Sequence, residues 1–268
     1  MISYMTNNLL IHLPSGKRLV WYLAAEEYFA KHIHSLRQRF GKGSENKNTD
    51  LCGILFTWVV SPTVIFGRHQ VMVNEVNVPF CQANNIAMYR RKSGGGCVYA
   101  DKGNLMVSYI STSPHIEQVF QAYLDRMSDC LRSMGYDAVK STHNDIMVGE
   151  HKVSGNACFA LPQATIVHGT LLYDVDFDAL QQTITPSQEK LAKHGVQSVR
   201  QRVMNLKDAQ SVLEEKGFKV SKFQDIEAFA RQIEDYWCEE SYIPTENDLL
   251  AIDTIEQEYL NPAFIQSR

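Results

Sequence analysis

Two patterns predict the secondary structure of this chain. Apolar residues at helical spacing indicate helices, and short runs of β-branched and aromatic residues indicate strands. Helical spacing predicts a first helix over Val20–Leu36 and a second over Pro114–Met134, which Gly135 is expected to end. Two β-type runs, Leu51–Val60 and Thr63–Phe66, predict strands that pair with each other. The same patterns predict further strands at Ile86–Arg91, Val98–Tyr99, Leu105–Ile110, Asn144–Phe159 and Ala164–Tyr173, and short helices at Asn74–Asn85 and Asp176–Ile184.

The C-terminal part, from about residue 205, has only helical patterns. Neighbouring strands with helices at intervals predict an α+β fold, with a mostly antiparallel sheet flanked by helices. We expect a single domain over residues 1–268. The polar segment Gly41–Asp50 is predicted to be a loop, and Thr185–Arg202 is predicted to be a basic connection. The closing helices are predicted at Leu206–Lys216, Asp225–Trp237 and Thr245–Tyr259.

Composition narrows the class of protein. The net charge is −4, so the chain has no global basic footprint for nucleic acid. No apolar run is long enough to predict a membrane span. The N-terminus lacks a basic region and a small-residue cleavage site, and is interpreted as mature protein. The 6 cysteines are scattered without a C-x-x-C pair, which predicts reduced thiols and a cytoplasmic location. We expect a monomer.

Three consecutive glycines, Gly94–Gly96, follow a basic stretch and are the most unusual feature of the sequence. Glycine loses more backbone freedom on folding than any other residue, so such a run suits a place where a ligand or another backbone comes very close. Bare amides at a glycine turn bind anions, and Arg90, Arg91 and Lys92 add positive charge beside them. The glycines alone fit a phosphate-binding loop and a tight hairpin with a basic flank equally well.

Two further blocks carry candidate chemistry. Asn144-Asp145 opens a strand, a Gly149-Glu150 turn follows, and Lys152 lies just beyond it. Its ammonium either enters a pocket beside a bound anion or faces solvent, and strand periodicity alone favours solvent. Asp145 either binds a metal ion that bridges phosphates or caps a turn. His168 starts an apolar strand, where a lone histidine is more often structural than catalytic.

Taken together, the blocks resemble the lipoate–protein ligase A family. Their order and spacing agree over roughly residues 20–260. The matching runs are Gly67-Arg68-x-Gln70, Asn74-Glu75-Val76-Asn77, Arg90-Arg91-x-Ser93-Gly94-Gly95-Gly96, Gly103-Asn104, Asn144-Asp145-Ile146, Lys152-Val153-Ser154-Gly155-Asn156-Ala157, His168-Gly169-Thr170-Leu171-Leu172 and Ser198-Val199-Arg200-x-Arg202-Val203-x-Asn205-Leu206.

The resemblance implies an enzyme of two half-reactions on a fold shared with biotin–protein ligases, which is class II synthetase-like. Lipoate and ATP, with Mg²⁺, would first give lipoyl-AMP and pyrophosphate. The lipoyl group would then pass to one lysine of a lipoyl domain. The implied acceptors are the E2 subunits of 2-oxoacid dehydrogenases and the H protein of glycine cleavage.

The resemblance also implies roles for individual residues. Lys152 would be the catalytic charge, placed against both the lipoyl carbonyl and the phosphate. Asp145 would either bind Mg²⁺ or orient Lys152, and His168 and Gly169 would line the acyl channel. Arg200 and Arg202 would lie in a segment that closes over the adenylate. The remaining substrate- and ATP-binding residues that it implies are Arg91, Ser93, Gly94, Gly95, Gly96, Cys97, Val98, Tyr99, Asn104, Asn144 and Gly155.

Two departures from the family pattern leave more than one function possible. Ala100 stands where the family commonly has a histidine before the aspartate. The sequence ends at Arg268, without the small accessory domain of larger family members, so we expect that a separate accessory protein supplies it or that the chain is self-sufficient. An octanoyl- or lipoyl-transferase on the same fold is the nearest rival, but neither Cys97 nor Cys158 stands where a transferase cysteine is expected, in the stretch before Asn144-Asp145. A biotin–protein ligase and a non-catalytic module that binds lipoyl domains are weaker rivals.

Overall fold

The computed structural model describes residues 7–40, 51–185 and 202–267. The predicted α+β class is confirmed, because two sheets of mixed but mostly antiparallel pairing are flanked by helices. The strands are β1 Asn8–Ile11, β2 Gly53–Trp58, β3 Thr63–Phe66, β4 Ala87–Arg90, β5 Val98–Ala100, β6 Asn104–Ser111, β7 Ala138–Lys140, β8 Asp145–Val148, β9 His151–Leu161, β10 Ala164–Leu172 and β11 Glu240–Tyr242.

The large sheet has 8 strands in the order β11-β1-β2-β6-β10-β9-β8-β7. The pairs β11–β1 and β1–β2 are parallel, and the remaining pairs are antiparallel. The small sheet has 3 strands in the order β4-β3-β5. The predicted pairing of the runs that became β2 and β3 is therefore wrong. Both edges of β2 already bond to β1 and β6, so β3 leaves that sheet and becomes the centre of the second one.

The predicted long helices are confirmed, with small shifts at their ends. The segment predicted as one helix over residues 74–85 is instead two short helices with Val76 and Asn77 between them. The strands β1, β7 and β11 were not predicted. The helices are α1 Leu19–Phe40, α2 Met72–Glu75, α3 Val78–Ala83, α4 Ile116–Ser133, α5 Phe177–Thr183, α6 Leu206–Glu215, α7 Ile226–Trp237, α8 Glu246–Leu260 and α9 Pro262–Gln266.

Gly135 ends α4 as predicted. Its φ is +95°, and a Cβ there would lie 2.1 Å from the carbonyl oxygen of Lys219. Only glycine combines that conformation with so close an approach. The predicted loop over Gly41–Asp50 lies outside the described residues, as does most of the predicted connection over Thr185–Arg202. Among the described residues, no helix is long and apolar enough to cross a membrane.

Different helices cover the two faces of the large sheet. We call these the α1 face and the α4 face, after the long helix that packs on each. Along β10, Ile166 belongs to the core beneath α1, and Val167 belongs to the core beneath α4. Strand alternation therefore assigns every residue of the central strands to one face or the other. The candidate site lies on the α1 face.

Candidate active site

Lys152 reaches the α1 face because β9 contains a β-bulge. Ile146 of β8 pairs with Ser154, and Met147 pairs with Lys152, so Val153 is one extra residue on β9. Without it, alternation would place Lys152 and Gly155 on opposite faces, since they are three positions apart. The bulge shifts Lys152 onto the face of Gly155, while Val153 is buried in the α4-side core.

The ammonium of Lys152 is held by a buried carboxylate. Its Nζ lies 2.7 Å from Oδ1 of Asp145, and the two side chains are 21% and 5% exposed. Arg202 binds the other carboxylate oxygen of Asp145 through Nη2. Burial lowers the pKa of Lys152, and the charge and hydrogen bond of Asp145 offset part of that effect. Lys152 is therefore a positioned ammonium and not a solvent-facing strand lysine.

Gly155 supplies the space that this ammonium occupies. A Cβ built on Gly155 would lie 2.5 Å from Nζ and 2.8 Å from Cε of Lys152. Gly155 is also the direct cross-strand partner of Asp145. The lysine side chain therefore lies flat across a strand residue that has no side chain of its own. The predicted involvement of Gly155 in the site has this physical basis.

The three glycines form an exposed loop against the same face. All of Gly94–Gly96 are exposed, and Gly95 has a φ of +91°. A Cβ on Gly95 would be 4.0 Å from the Cβ of Ala157, which follows Gly155 by two residues on β9. Residues two apart on a strand share a face and lie roughly 7 Å apart. The loop and the ammonium of Lys152 are therefore neighbours on the α1 face.

Arg91 shapes this loop from inside. Its Nη2 donates to the carbonyl oxygens of Gly94 (2.7 Å) and Gly96 (2.6 Å), and its Nη1 donates to Ile65 O at 3.2 Å. Burial lowers its pKa to about 10. Carbonyl oxygens therefore take most of the donors of the Arg91 guanidinium, and its predicted contact with a bound phosphate stays a prediction. Drawing the carbonyls inward leaves the amide side of the loop available to an anion.

The other two basic residues before the loop also bond to protein groups. Arg90 is buried, and its Nη1 donates to the carbonyl oxygens of Arg68 and Gln70, each at 2.8 Å. Lys92 forms ion pairs with Glu27 and Glu258, each at 2.8 Å. The basic run therefore anchors the loop, and the ammonium at the site comes from Lys152.

His168 and Ser93, two of the predicted site residues, contact each other. Nε2 of His168 lies 2.7 Å from Oγ of Ser93, and Nδ1 lies 3.0 Å from Oε2 of Glu26. His168 is the cross-strand partner of Ala157, so it shares the α1 face with the glycine loop. Its ring packs 6.1 Å from the ring of Phe159. A pocket running along this face would have His168 in its wall.

Gly169 and Asn144 do not join this face. A Cβ on Gly169 would lie 2.0 Å from Oδ1 of Asn156 and 3.0 Å from the hydroxyl of Tyr123 on α4. The missing side chain of Gly169 makes room for Asn156 on the α4 face, and its predicted place in the acyl channel stays a prediction. The amide of Asn144 donates to the carbonyl of Asn156 at 2.7 Å, and Asn156 donates back to Asn144 O at 2.9 Å. These two residues brace β8 against β9.

The remaining predicted residues continue the glycine loop into β5 and β6. Val98 and Tyr99 pair with β3, and the side chain of Tyr99 is buried in the core under the small sheet. Cys97 is partly buried against the same core. Asn104 is fully buried, and its Nδ2 donates to Tyr99 O at 3.3 Å. The contribution of this segment to a ligand site is therefore mainly its backbone.

The donor set does not fit a resident Mg²⁺ at Asp145. Its two carboxylate oxygens already face Lys152 and Arg202. Among residues 7–40, 51–185 and 202–267, no group of three His, Cys, Asp or Glu side chains is arranged to hold a metal ion. Of the two expected roles of Asp145, the structure supports the orientation of Lys152.

Sequence reasoning did not find Glu26, which lies in the first helix and contacts the site only in three dimensions. Its neighbours in sequence, Ala24, Ala25 and Glu27, are good helix formers, so the local pattern predicts only an ordinary helix. The one available signal was the position of two acidic residues inside an otherwise apolar helical stretch.

Comparisons with known proteins identify the family of this chain. The family model described as the lipoyl protein ligase A/B catalytic domain matches residues 21–232. Lipoate–protein ligase 1 of Staphylococcus aureus is 34% identical over 187 residues, which are 69% of this chain and 52% of that protein. Lipoate-protein ligase LplJ of Bacillus subtilis is 33% identical over the same shares of the two chains. The chain thus spans about half the length of these curated relatives.

Solved structures share the fold. A bi-partite lipoate protein ligase from Thermoplasma acidophilum, described with its E2 lipoyl domain, superposes with a TM-score of 0.73. It is 24% identical, and the match covers 97% of this chain and 96% of that one. A lipoate-protein ligase A bound with ATP gives a TM-score of 0.68 at 22% identity, over 97% of this chain and 98% of that chain.

Proposed function

Because the chain belongs to the lipoyl protein ligase A/B catalytic-domain family, we propose that it is a lipoate–protein ligase. It activates lipoate with MgATP to lipoyl-AMP and transfers the lipoyl group to a lysine of a lipoyl domain. Acceptors of this class are the E2 subunits of 2-oxoacid dehydrogenases and the H protein of glycine cleavage. A cytoplasmic location and a monomeric state, both expected from the sequence, are part of the proposal.

One structural observation gives this proposal its main support. The ammonium of Lys152 and the exposed backbone of Gly94–Gly96 lie beside each other on one face of β9. A mixed anhydride of a carboxylic acid and a nucleotide has a carbonyl next to a phosphate. An ammonium beside an amide nest is complementary to that pair of groups.

In the first half-reaction, a carboxylate oxygen of lipoate attacks the α-phosphorus of ATP and pyrophosphate leaves. Two anions must approach each other, so the protein has to supply positive potential at the point of contact. Lys152 supplies a full charge there, and the loop amides supply donors. Asp145 and Arg202 hold the ammonium in place, so little reorganisation is needed during the reaction. Mg²⁺ arrives with ATP as part of the substrate.

In the second half-reaction, the amine of the acceptor lysine attacks the lipoyl carbonyl and AMP leaves. Negative charge develops first on the carbonyl oxygen and then on the departing phosphate. Lys152 can stabilise both, since its ammonium lies over Gly155, two residues along β9 from Ala157, which the glycine loop approaches. The ammonium is held by the carboxylate of Asp145 at 2.7 Å, so Lys152 is expected to act as a charge and not to become acylated.

The transferase hypothesis needs an activated cysteine, and the surroundings of Cys158 do not favour one. Cys158 pairs with Val167 and packs against the α4-side core. Burial raises its pKa, which is the opposite of the shift that a nucleophilic thiol requires. Replacing Cys97 and Cys158 by serine should leave ATP-dependent lipoylation within about twofold of the parent chain. Loss of activity in either variant, with the fold intact, would favour the transferase.

The deciding experiment combines the purified chain, lipoate, MgATP and an apo lipoyl domain, with the acceptor mass as the readout. A lipoylated acceptor and released pyrophosphate support the ligase. Pyrophosphate release without transfer would point to a missing acceptor. Transfer from preformed lipoyl-AMP, added in a parallel reaction, without pyrophosphate release from ATP would mean that a separate component completes the first step. Binding of the lipoyl domain without any chemistry would identify a non-catalytic module and overturn the proposal.

A further inference from the structure

Helix α1 buries two adjacent carboxylates that the proposed chemistry does not use. Glu26 is 0% exposed and Glu27 is 4% exposed. Burying an ionised carboxylate is costly unless it is paired and hydrogen-bonded. Consecutive helix residues point about 100° apart, so the two side chains reach different partners. Through those partners the two carboxylates reach the adjacent residues Ser93 and Lys92, directly before the glycine loop.

Glu26 reaches the loop through His168. Its Oε2 lies 3.0 Å from Nδ1 of the imidazole, whose Nε2 lies 2.7 Å from Oγ of Ser93. The carbonyl of Ser93 in turn accepts the backbone N–H of Arg68 at 2.9 Å. A continuous chain of hydrogen bonds therefore runs from α1 to the loop that carries the glycines.

The hydrogen bonds on the other side of Glu26 determine which group donates in each bond of this series. The indole N–H of Trp58 can only donate, and it donates to Oγ of Ser108 at 2.9 Å. The hydroxyl of Ser108 donates to Oε1 of Glu26 at 2.6 Å. An ionised Glu26 accepts at both oxygens, so Nδ1 of His168 is the donor to Oε2. In neutral His168, Nε2 is then the acceptor, and the hydroxyl of Ser93 donates to it.

Glu27 reaches the preceding residue directly. Its carboxylate forms an ion pair with Nζ of Lys92 at 2.8 Å and accepts the hydroxyl of Tyr259 on α8. Lys92 also pairs with Glu258 at 2.8 Å and lies over the ring of Tyr259. This second contact ties the loop to α1 and α8 at once.

We infer that Glu26 and Glu27 are positioning residues for the glycine loop, acting through His168–Ser93 and through Lys92. The two contacts fix consecutive backbone positions directly before Gly94. The amides that follow are thereby held in place before a nucleotide arrives, so binding does not have to order them. The effect on nucleotide binding rests on the proposed ligase activity, whereas the effect on the position of the loop does not.

The first test needs no ligand. Hydrogen exchange of the Arg68 amide, followed by NMR, reports on its bond to the Ser93 carbonyl. Glu26→Gln, which removes the charge and one acceptor, and Ser93→Ala, which removes only the hydroxyl, are expected to speed this exchange about tenfold. Ser128→Ala is the matched control, because it removes a buried hydroxyl that donates only within α4, to Leu124 O at 2.8 Å. Unchanged exchange in Ser93→Ala, a variant that preserves the fold, would overturn the inference.

The second test is a double-mutant cycle on nucleotide affinity. Binding of Mg²⁺ with α,β-methylene-ATP is expected to weaken about tenfold in Glu26→Gln and in Ser93→Ala. The double variant should lose no more than either single variant, because both substitutions interrupt the same series of hydrogen bonds. Glu27→Gln is expected to weaken binding through the separate contact with Lys92. Additive losses in the Glu26–Ser93 cycle would exclude coupling through His168. If the parent chain itself fails to bind the nucleotide, the proposed function fails, while the exchange result still decides the structural claim.

Discussion

The substitution Gly155→Ala tests whether the position of the Lys152 ammonium governs the chemistry. A Cβ at residue 155 would lie 2.5 Å from Nζ and 2.8 Å from Cε of Lys152. Ordinary carbon contacts are about 3.5–4.0 Å, so the end of the lysine must move by roughly 1 Å. The atoms in the way belong to the end of a flexible side chain, so the backbone can stay in place. The fold should therefore survive the change.

A displacement of this size has a predictable cost for catalysis. Misplacing a catalytic group by 1 Å can cost about 100-fold in rate, which corresponds to about 2.7 kcal/mol. We expect Gly155→Ala to lower the rate of lipoyl transfer from preformed lipoyl-AMP by about that factor. The melting temperature should change by no more than about 3 °C, since only the end of one flexible side chain has to move while the backbone stays in place.

The assay is single-turnover transfer to an apo lipoyl domain, paired with thermal unfolding of the same sample. Gly149→Ala is the control in the neighbouring hairpin turn. A Cβ on Gly149 would meet nothing within 4 Å, but its φ is +58°. It should therefore lose stability, by about 1–2 kcal/mol, and keep its transfer rate. A transfer rate in Gly155→Ala that matches the parent chain would refute the assignment of Lys152 as the positioned charge.

Four further changes test the same site. Lys152→Ala should abolish transfer from lipoyl-AMP without changing the circular dichroism spectrum, and normal transfer would remove Lys152 from the mechanism. Asp145→Asn removes a charge that raises the pKa of Lys152. The high-pH limb of the pH–rate profile for transfer should therefore move to lower pH, and an unshifted profile would contradict this role. Gly96→Val should weaken ATP binding in calorimetry without unfolding, because its Cβ enters open space. Gly95→Val should instead lower the melting temperature, since its φ is +91° and its Cβ would lie 2.9 Å from the Arg91 guanidinium; the reverse pattern would refute the loop geometry.

The local pattern of the sequence determined most of the elements of this protein. Helical periodicity located α1 and α4, and the glycine at position 135 ended α4 at the predicted place. The three blocks around residues 90–104, 144–157 and 168–172 identified the segments that form the site. These features depend on neighbours within one turn or one strand, so the sequence carries them directly.

Tertiary structure alone decided which side chains meet. Strand alternation has a period of two, so the single extra residue at Val153 changed the face on which Lys152 lies, and no local pattern marks that bulge. Arg91 is close to the glycines in sequence, yet its guanidinium donates hydrogen bonds to the carbonyl oxygens of Gly94, Gly96 and Ile65. Glu26 reaches His168 across 142 residues. The face that a side chain occupies and the partner that it finds depend on the register and packing of distant strands, which composition and periodicity do not contain.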